Sequence, residues 1–138
     1  MNYKEIAKET IGHLYKAHTS IRKSGIDEKL IALVELRISQ INGCPYCCSY
    51  HANELLRFGF EQDVINKLPG WKHTYAFDAK QKLVLSWAEA VIHHTNDWHE
   101  IKEKLAEHFT EREAVELTAS ITLMNTLNKL RITLAETD

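Results

Sequence analysis

The stretch from residue 27 to residue 58, DEKLIALVELRISQINGCPYCCSYHANELLRF, decides the reading of the chain. Asp27 carries an oxygen that can accept from an unpaired backbone N–H, so it can cap a helix that follows it. Leu30, Ile31, Leu33, Val34, Ile38 and Ile41 recur at the spacing of an α-helix with a wide apolar face. Asn42-Gly43 suits left-handed or turn geometry and closes that helix. Cys44 then opens another. Pro45 belongs at its first position, because the fixed φ fits the helix and the missing N–H would have been unpaired there. This second helix closes near Phe58-Gly59.

Working outward, Ile6, Ile11, Leu14 and Ala17 predict an amphipathic helix ended by Ser24-Gly25. Downstream, a short helix from about Glu61 to Leu68 is stopped by Pro69-Gly70, and the aromatic segment WKHTYAF reads as the longest irregular stretch. Asp78 caps a helix carrying Leu83, Val84, Trp87, Ala88, Val91 and Ile92, and Asn96 or Asp97 caps another around Trp98, Ile101 and Leu105. Thr110 with Glu113 forms a capping box ahead of the last apolar series, from Val115 to Ile132. No segment alternates with a period of two. Five glycines and two prolines are too little punctuation for a sandwich or barrel of many short strands. The expectation is an all-α fold, one domain over residues 1–138 with six or seven helices, the CxxC sitting at the N-terminus of a central helix.

Composition narrows the function classes. The chain has 17 Lys and Arg against 19 Asp and Glu, a formal charge of −2, so it lacks the broad basic field that recruits nucleic acid. Its 44% apolar and 26% charged residues are those of an ordinary globular domain. No run approaches the ~18 apolar residues of a spanning helix. The opening MNYKEIAKETIGHLYKAHTS has charges where a signal peptide has its apolar stretch. Neither a nucleic-acid nor a membrane partner is expected, and a cytoplasmic location is.

Three cysteines lie within five positions, Cys44, Cys47 and Cys48, so they form a local chemical site instead of stapling distant segments. Cys44 and Cys47 stand one turn apart at a helix start, where free N–H groups and the helix dipole favour a thiolate. His51, four residues beyond Cys47, can bring its ring within reach of that sulfur as a base. Glu35 is the nearest upstream carboxylate, and the Gly43 turn could fold it back beside the cysteine helix. Cys48 points to another side of the helix, as a small buried apolar residue would. Zinc is the competing chemistry: Cys44, Cys47, Cys48 and His51 supply four ligand types, but one straight helix cannot wrap them tetrahedrally around an ion. His93, His94 and His99 could add a second ligand pair, yet they fall in a polar stretch with no second CxxC. No metal and no cofactor beyond the cysteine pair is expected. A thioredoxin-type site would need a strand before Cys44, and none is predicted.

The segment LRISQINGCPYCCSYH, residues 36–51, resembles the core signature of the alkylhydroperoxidase D family, within the wider carboxymuconolactone decarboxylase superfamily. The resemblance covers the CxxCxxxH pattern at Cys44, Cys47 and His51 and the approach from Leu36 to Gly43. It continues into Trp71, the Trp87-Ala88-Glu89-Ala90 helix, and the ending HFTEREAVELTASITLMNTLNKLRI with Asn125 and Asn128. It implies an all-α fold assembling as trimers or larger rings, a hexamer among them, with a thiol-dependent peroxidase or disulfide reductase activity. By similarity Cys47 attacks a small hydroperoxide, Cys44 resolves the sulfenic acid to a disulfide, and an external thiol or dithiol resets the pair. His51 would take the Cys47 proton in a relay with a glutamate and with the residue between the cysteines, here Tyr46. The helix dipole favours charge on Cys44 and the spacing to His51 favours Cys47; the resemblance assigns the attack to Cys47. The family's glutamate lies twelve residues before the first cysteine, at Ala32 here, and Glu35 stands one turn later. Two other readings remain: a non-catalytic redox-sensing or scaffold oligomer, and a decarboxylase-type enzyme, against which the cysteine pair argues. Trp71, Tyr75, Phe77, Trp87 and Trp98 are candidates for covering a subunit contact.

Overall fold

The computed structural model describes residues 1–136, and every regular element among them is helical, without a strand. In chain order the helices are α1 (Tyr3–Ile6), α2 (Lys8–Arg22), α3 (Glu28–Asn42), α4 (Pro45–Arg57), α5 (Gln62–Asn66), a 3₁₀ segment (Leu68–His73), α6 (Ala79–His93), α7 (Trp98–His108) and α8 (Glu111–Leu134). The count exceeds the expected six or seven at two places. Ala7 leaves the helical region, with φ −119° and ψ 51°, and divides the first helix into α1 and α2. The start of the WKHTYAF stretch is also helical, in the tighter form. Leu68 opens it, Pro69 follows within its first turn, and Gly70, at φ −104° and ψ 29°, kinks it.

The start signals operate through named bonds. Asp27 accepts from the Lys29 N–H at 2.9 Å. Asp78 with Gln81, and Thr110 with Glu113, form reciprocal capping boxes. Asp97 occupies the N-cap of α7 without bonding its N–H groups, accepting from the Thr95 hydroxyl instead. Gly43 ends α3 at φ +70°, a left-handed conformation that an L side chain adopts only with strain.

Helix α3 is central because it is apolar nearly all round: residues 30 to 36 are buried in succession. Leu30, Ile31, Val34 and Ile38 join a cluster with Val84, Ala88, Leu117 and Ile121 of α6 and α8. Ala32, Leu33 and Leu36 face a second cluster with Leu55 of α4, Leu68, Trp71 and Leu85. Trp71, Phe77 and Trp87 belong to these cores, whereas Tyr75 is fully exposed and Trp98 half-buried. Of the aromatic candidates for a subunit contact, three are thereby used inside the subunit.

Polar side chains tie the flanks of α3 to its neighbours. Asn42 donates to Asn125 and Asn128 of α8 at 3.0 and 3.2 Å, and Asn128 donates to Ser39 at 3.2 Å. Glu89 of α6 accepts from Trp71 and Arg37, with Lys72 3.4 Å away. Burial would raise the Glu89 carboxyl, but these donors and cations outweigh it and hold it below the usual carboxylate range. No helix among the described residues is long and apolar enough to cross a membrane.

Candidate active site

The Gly43 turn sends the chain from α3 directly into α4, so the cysteine pair starts a helix that packs along α3. Cys44 is the N-cap and Pro45 the first helical residue. The Cys44 sulfur accepts from the Cys47 N–H at 3.3 Å, a contact that puts sulfur where the helix dipole favours negative charge. Cys44 and Cys47 are joined as a disulfide, their Cα atoms 5.3 Å apart. Cys44 is fully enclosed, while Cys47 is 8% exposed and lines a cavity. Cys48 remains a free, half-buried thiol packed against the second core cluster, where burial pushes its pKa up.

His51 is buried one turn beyond Cys47 and lines the same cavity. Its two ring nitrogens face two carboxylates. Nε2 lies 3.5 Å from Glu35 on α3, and Nδ1 lies 3.4 Å from Glu54, three residues further along α4. Among the described residues the ring makes no hydrogen bond to Cys47 in this disulfide state. Glu35 is completely buried at the centre of a wider network. His18 Nε2 lies 3.2 Å from it, the Arg22 guanidinium donates to it at 3.2 Å, and the Ser120 hydroxyl donates at 3.5 Å. Arg22 also forms a forked pair with Glu54, at 2.9 and 3.1 Å, the two-pronged geometry a guanidinium offers a carboxylate. Burial would push the Glu54 carboxyl up, but the hydrogen bonds from His51 and Arg22 prevail and hold it at about 2. The same two carboxylates outweigh burial at Arg22 and raise its guanidinium pKa.

Of the residues singled out in the sequence, Cys44, Cys47, His51 and Glu35 converge. Ala32, the position matching the family glutamate, sits in the second apolar cluster, and the carboxylate beside His51 comes from Glu35. Among the described residues Tyr46 makes no hydrogen bond to the His51 ring: it is half exposed, stacks on Tyr50, and lies under the Arg131 guanidinium at 4.0 Å. Four members of the network, Glu54, His18, Arg22 and Ser120, are not marked in the sequence reading. Glu54 had a visible signal, since a residue three positions after His51 shares its helix face. His18 and Arg22 also share a face of α2, but only the packing of α2 against α3 and α4 aims it at Glu35. Among the described residues no three His, Cys, Asp or Glu side chains group as metal ligands would.

Three similarities bear on what this arrangement belongs to. YdfG of Bacillus subtilis, an uncharacterized protein, is 25% identical over 134 residues, covering 96% of this chain and 91% of that one. The alkyl hydroperoxide reductase AhpD of Coxiella burnetii is 44% identical over 45 residues, which are 33% of this chain and only 25% of AhpD. A crystal structure from Agrobacterium tumefaciens, of a protein of unknown function described as an AhpD-type antioxidant defence protein, superposes with a TM-score of 0.91. It is 27% identical and the match covers 99% of this chain and 95% of that one. The model of the carboxymuconolactone decarboxylase family matches residues 7–90, a span that holds the cysteine pair, His51 and all the carboxylates around it. The chain therefore belongs to the carboxymuconolactone decarboxylase family, as an AhpD-like member with a redox-capable CxxC pair.

Proposed function

We propose that this protein is a thiol peroxidase that reduces small hydroperoxides through Cys47 and Cys44. The observation that carries the reading is the Cys44–Cys47 disulfide at a helix start, beside a cavity whose lining includes the buried His51. In the reduced state Cys47 attacks as a thiolate. Its sulfur bonds the terminal peroxide oxygen, the O–O bond breaks, and the alkoxide leaves as alcohol on taking one proton. Cys44 then displaces hydroxide from the Cys47 sulfenic acid, giving the disulfide and water. An external dithiol supplies two electrons and two protons to reset the pair.

His51 fits the role of proton acceptor for Cys47. Glu35 and Glu54 lie opposite its two ring nitrogens, where a carboxylate can accept the N–H that proton uptake creates. Arg22 fixes both carboxylates, so the pair of acceptors stays in place while the ring exchanges its proton. Tyr46 contributes from the cavity lining and not from the His51 network. The assembly is a homo-oligomer acting in the cytoplasm.

The test is a pair of cysteine variants. Cys47→Ser abolishes peroxide consumption, while Cys44→Ser leaves a sulfenic acid that a dimedone probe captures at Cys47. Capture at Cys44 in the Cys47→Ser protein would reverse the roles, and three thiols inert to peroxide would end the reading. A second reading, a redox sensor that reduces peroxide slowly, is favoured by the absence of a hydrogen bond from His51 to Cys47. It predicts one oxidation per chain with no catalytic turnover when thiol donors are added.

A further inference from the structure

The cavity beside Cys47, about 230 Å³, is lined unevenly in charge. Two cations from opposite ends of the chain, Lys4 on α1 and Arg131 on α8, contribute to it, and no Asp or Glu does. This local excess runs against a chain whose overall formal charge is −2. The acids close by are already engaged on another side, since Arg22 pairs with both Glu35 and Glu54. Neither Lys4 nor Arg131 has an ion-pair partner among the described residues.

Both cations are held instead on aromatic faces. The Arg131 guanidinium carbon lies 4.0 Å from the centre of the Tyr46 ring, and the Lys4 ammonium lies 5.2 Å from that of Tyr15. A guanidinium carries its N–H groups in one plane, a fork that matches a carboxylate. Among the described residues Arg131 gives those donors to no protein acceptor in a side-chain bond. The rest of the lining is suited to a hydrocarbon: Met124 and Leu127 on α8 face the cavity together with the Tyr46 and Tyr50 rings. Cations, aromatic faces and thioether next to a nucleophilic sulfur describe a site for a small organic anion with an apolar body.

We propose that this cavity selects organic hydroperoxides that carry a carboxylate, with Arg131 and Lys4 receiving the carboxylate and the apolar lining holding the body while the peroxide group meets Cys47. The proposal rests on the peroxidase reading and specifies its substrate class. No electron or proton beyond the steps already given is required: the carboxylate is unchanged, and the products are the hydroxy acid, water and the Cys44–Cys47 disulfide.

The decisive comparison uses cumene hydroperoxide and its para-carboxylate, which differ only in the anionic group. Reduced protein is mixed with each, and disulfide formation is followed by intact mass. A preference of about tenfold for the carboxylate is expected, the scale of one charge-assisted contact. The ratio of the two rate constants is then taken within Arg131→Gln, Lys4→Gln and the double variant, so that any loss of folding cancels. The ratio should fall toward one in the double variant and shrink with added salt in the wild type. Equal rates for the two peroxides, or a preference untouched in the double variant, overturn the proposal. Binding of the unreactive alcohol, 4-(2-hydroxypropan-2-yl)benzoate, to the disulfide protein is measured in parallel by chemical-shift changes. If neither peroxide nor hydrogen peroxide oxidises the pair while this alcohol binds through Arg131 and Lys4, the peroxidase reading fails and the anion site stands. If hydrogen peroxide oxidises the pair but the alcohol does not bind, the site fails and the peroxidase reading stands.

Discussion

At the scale of single residues, the proposed chemistry turns on a histidine held between two acids, and the two acids sit in different surroundings. Glu35 is enclosed and bonded on several sides, so Glu35→Gln leaves Arg22 with one carboxylate and His18 with none. The expected loss is about 3 kcal/mol of stability, read from guanidinium unfolding, because a buried charge loses part of its compensation. Peroxide reduction should fall by ~10²–10⁴ in His51→Ala, the range for losing a positioned proton acceptor. Glu54 gives a pH prediction. Its pKa is lowered on folding from the ordinary 4.5 to about 2, so its stabilising contribution is complete above the unfolded value and is lost as pH falls from about 4.5 towards 2. Wild type should therefore exceed Glu54→Gln in unfolding midpoint at pH 6 by more than at pH 3. A difference that does not change with pH overturns this assignment.

At the scale of helices, the decisive joint is the one between α3 and α4. Gly43 stands at φ +70°, with open space where a Cβ would go, so the cost of Gly43→Ala comes from backbone strain and not from a clash. About 1 kcal/mol is expected in denaturant unfolding, and Gly43→Asn should recover part of it, since asparagine tolerates the left-handed region better. The helix starts were readable because caps are local: Asp27, Asp78 and Thr110 each bond within three residues. The break at Ala7 was not readable. Alanine is the best of helix formers, and nothing in its neighbours marks a stop, so α1 turns away from α2 under tertiary influence. In the WKHTYAF stretch Trp71 and Phe77 are buried, but Tyr75 points fully into solvent.

At the scale of the whole molecule, α3 is the axis on which both cores and the acid network depend. Leu55→Ala on α4 removes a fully buried side chain from the second cluster and should cost roughly 2–5 kcal/mol in unfolding free energy. Because α4 carries the cysteine pair, the same variant tests whether the disulfide alone keeps that helix in place: its midpoint should drop further on reduction than that of the wild type. Assembly is the second matter at this scale. Exposed apolar side chains remain at Ile6, Tyr75 and Val115, and an oligomer is the expected result of size-exclusion chromatography with light scattering. A clean monomer at micromolar concentration excludes it.

The sequence by itself determined the helical class, most helix starts, and the placing of Cys44, Cys47 and His51 along one helix, because caps, periodicity and CxxCxxxH spacing act within a few residues. It also held the signal for Glu54. Only the tertiary structure decided which carboxylate meets His51. Ala32 and Glu35 are one turn apart on α3, and burial of α3 on both sides sends the first into an apolar cluster and the second towards α2 and α4. The convergence of His18 and Arg22 on Glu35, and of Lys4 and Arg131 on one cavity, joins residues far apart in the chain. Contacts of that kind depend on how helices cross, which no local pattern of residues encodes.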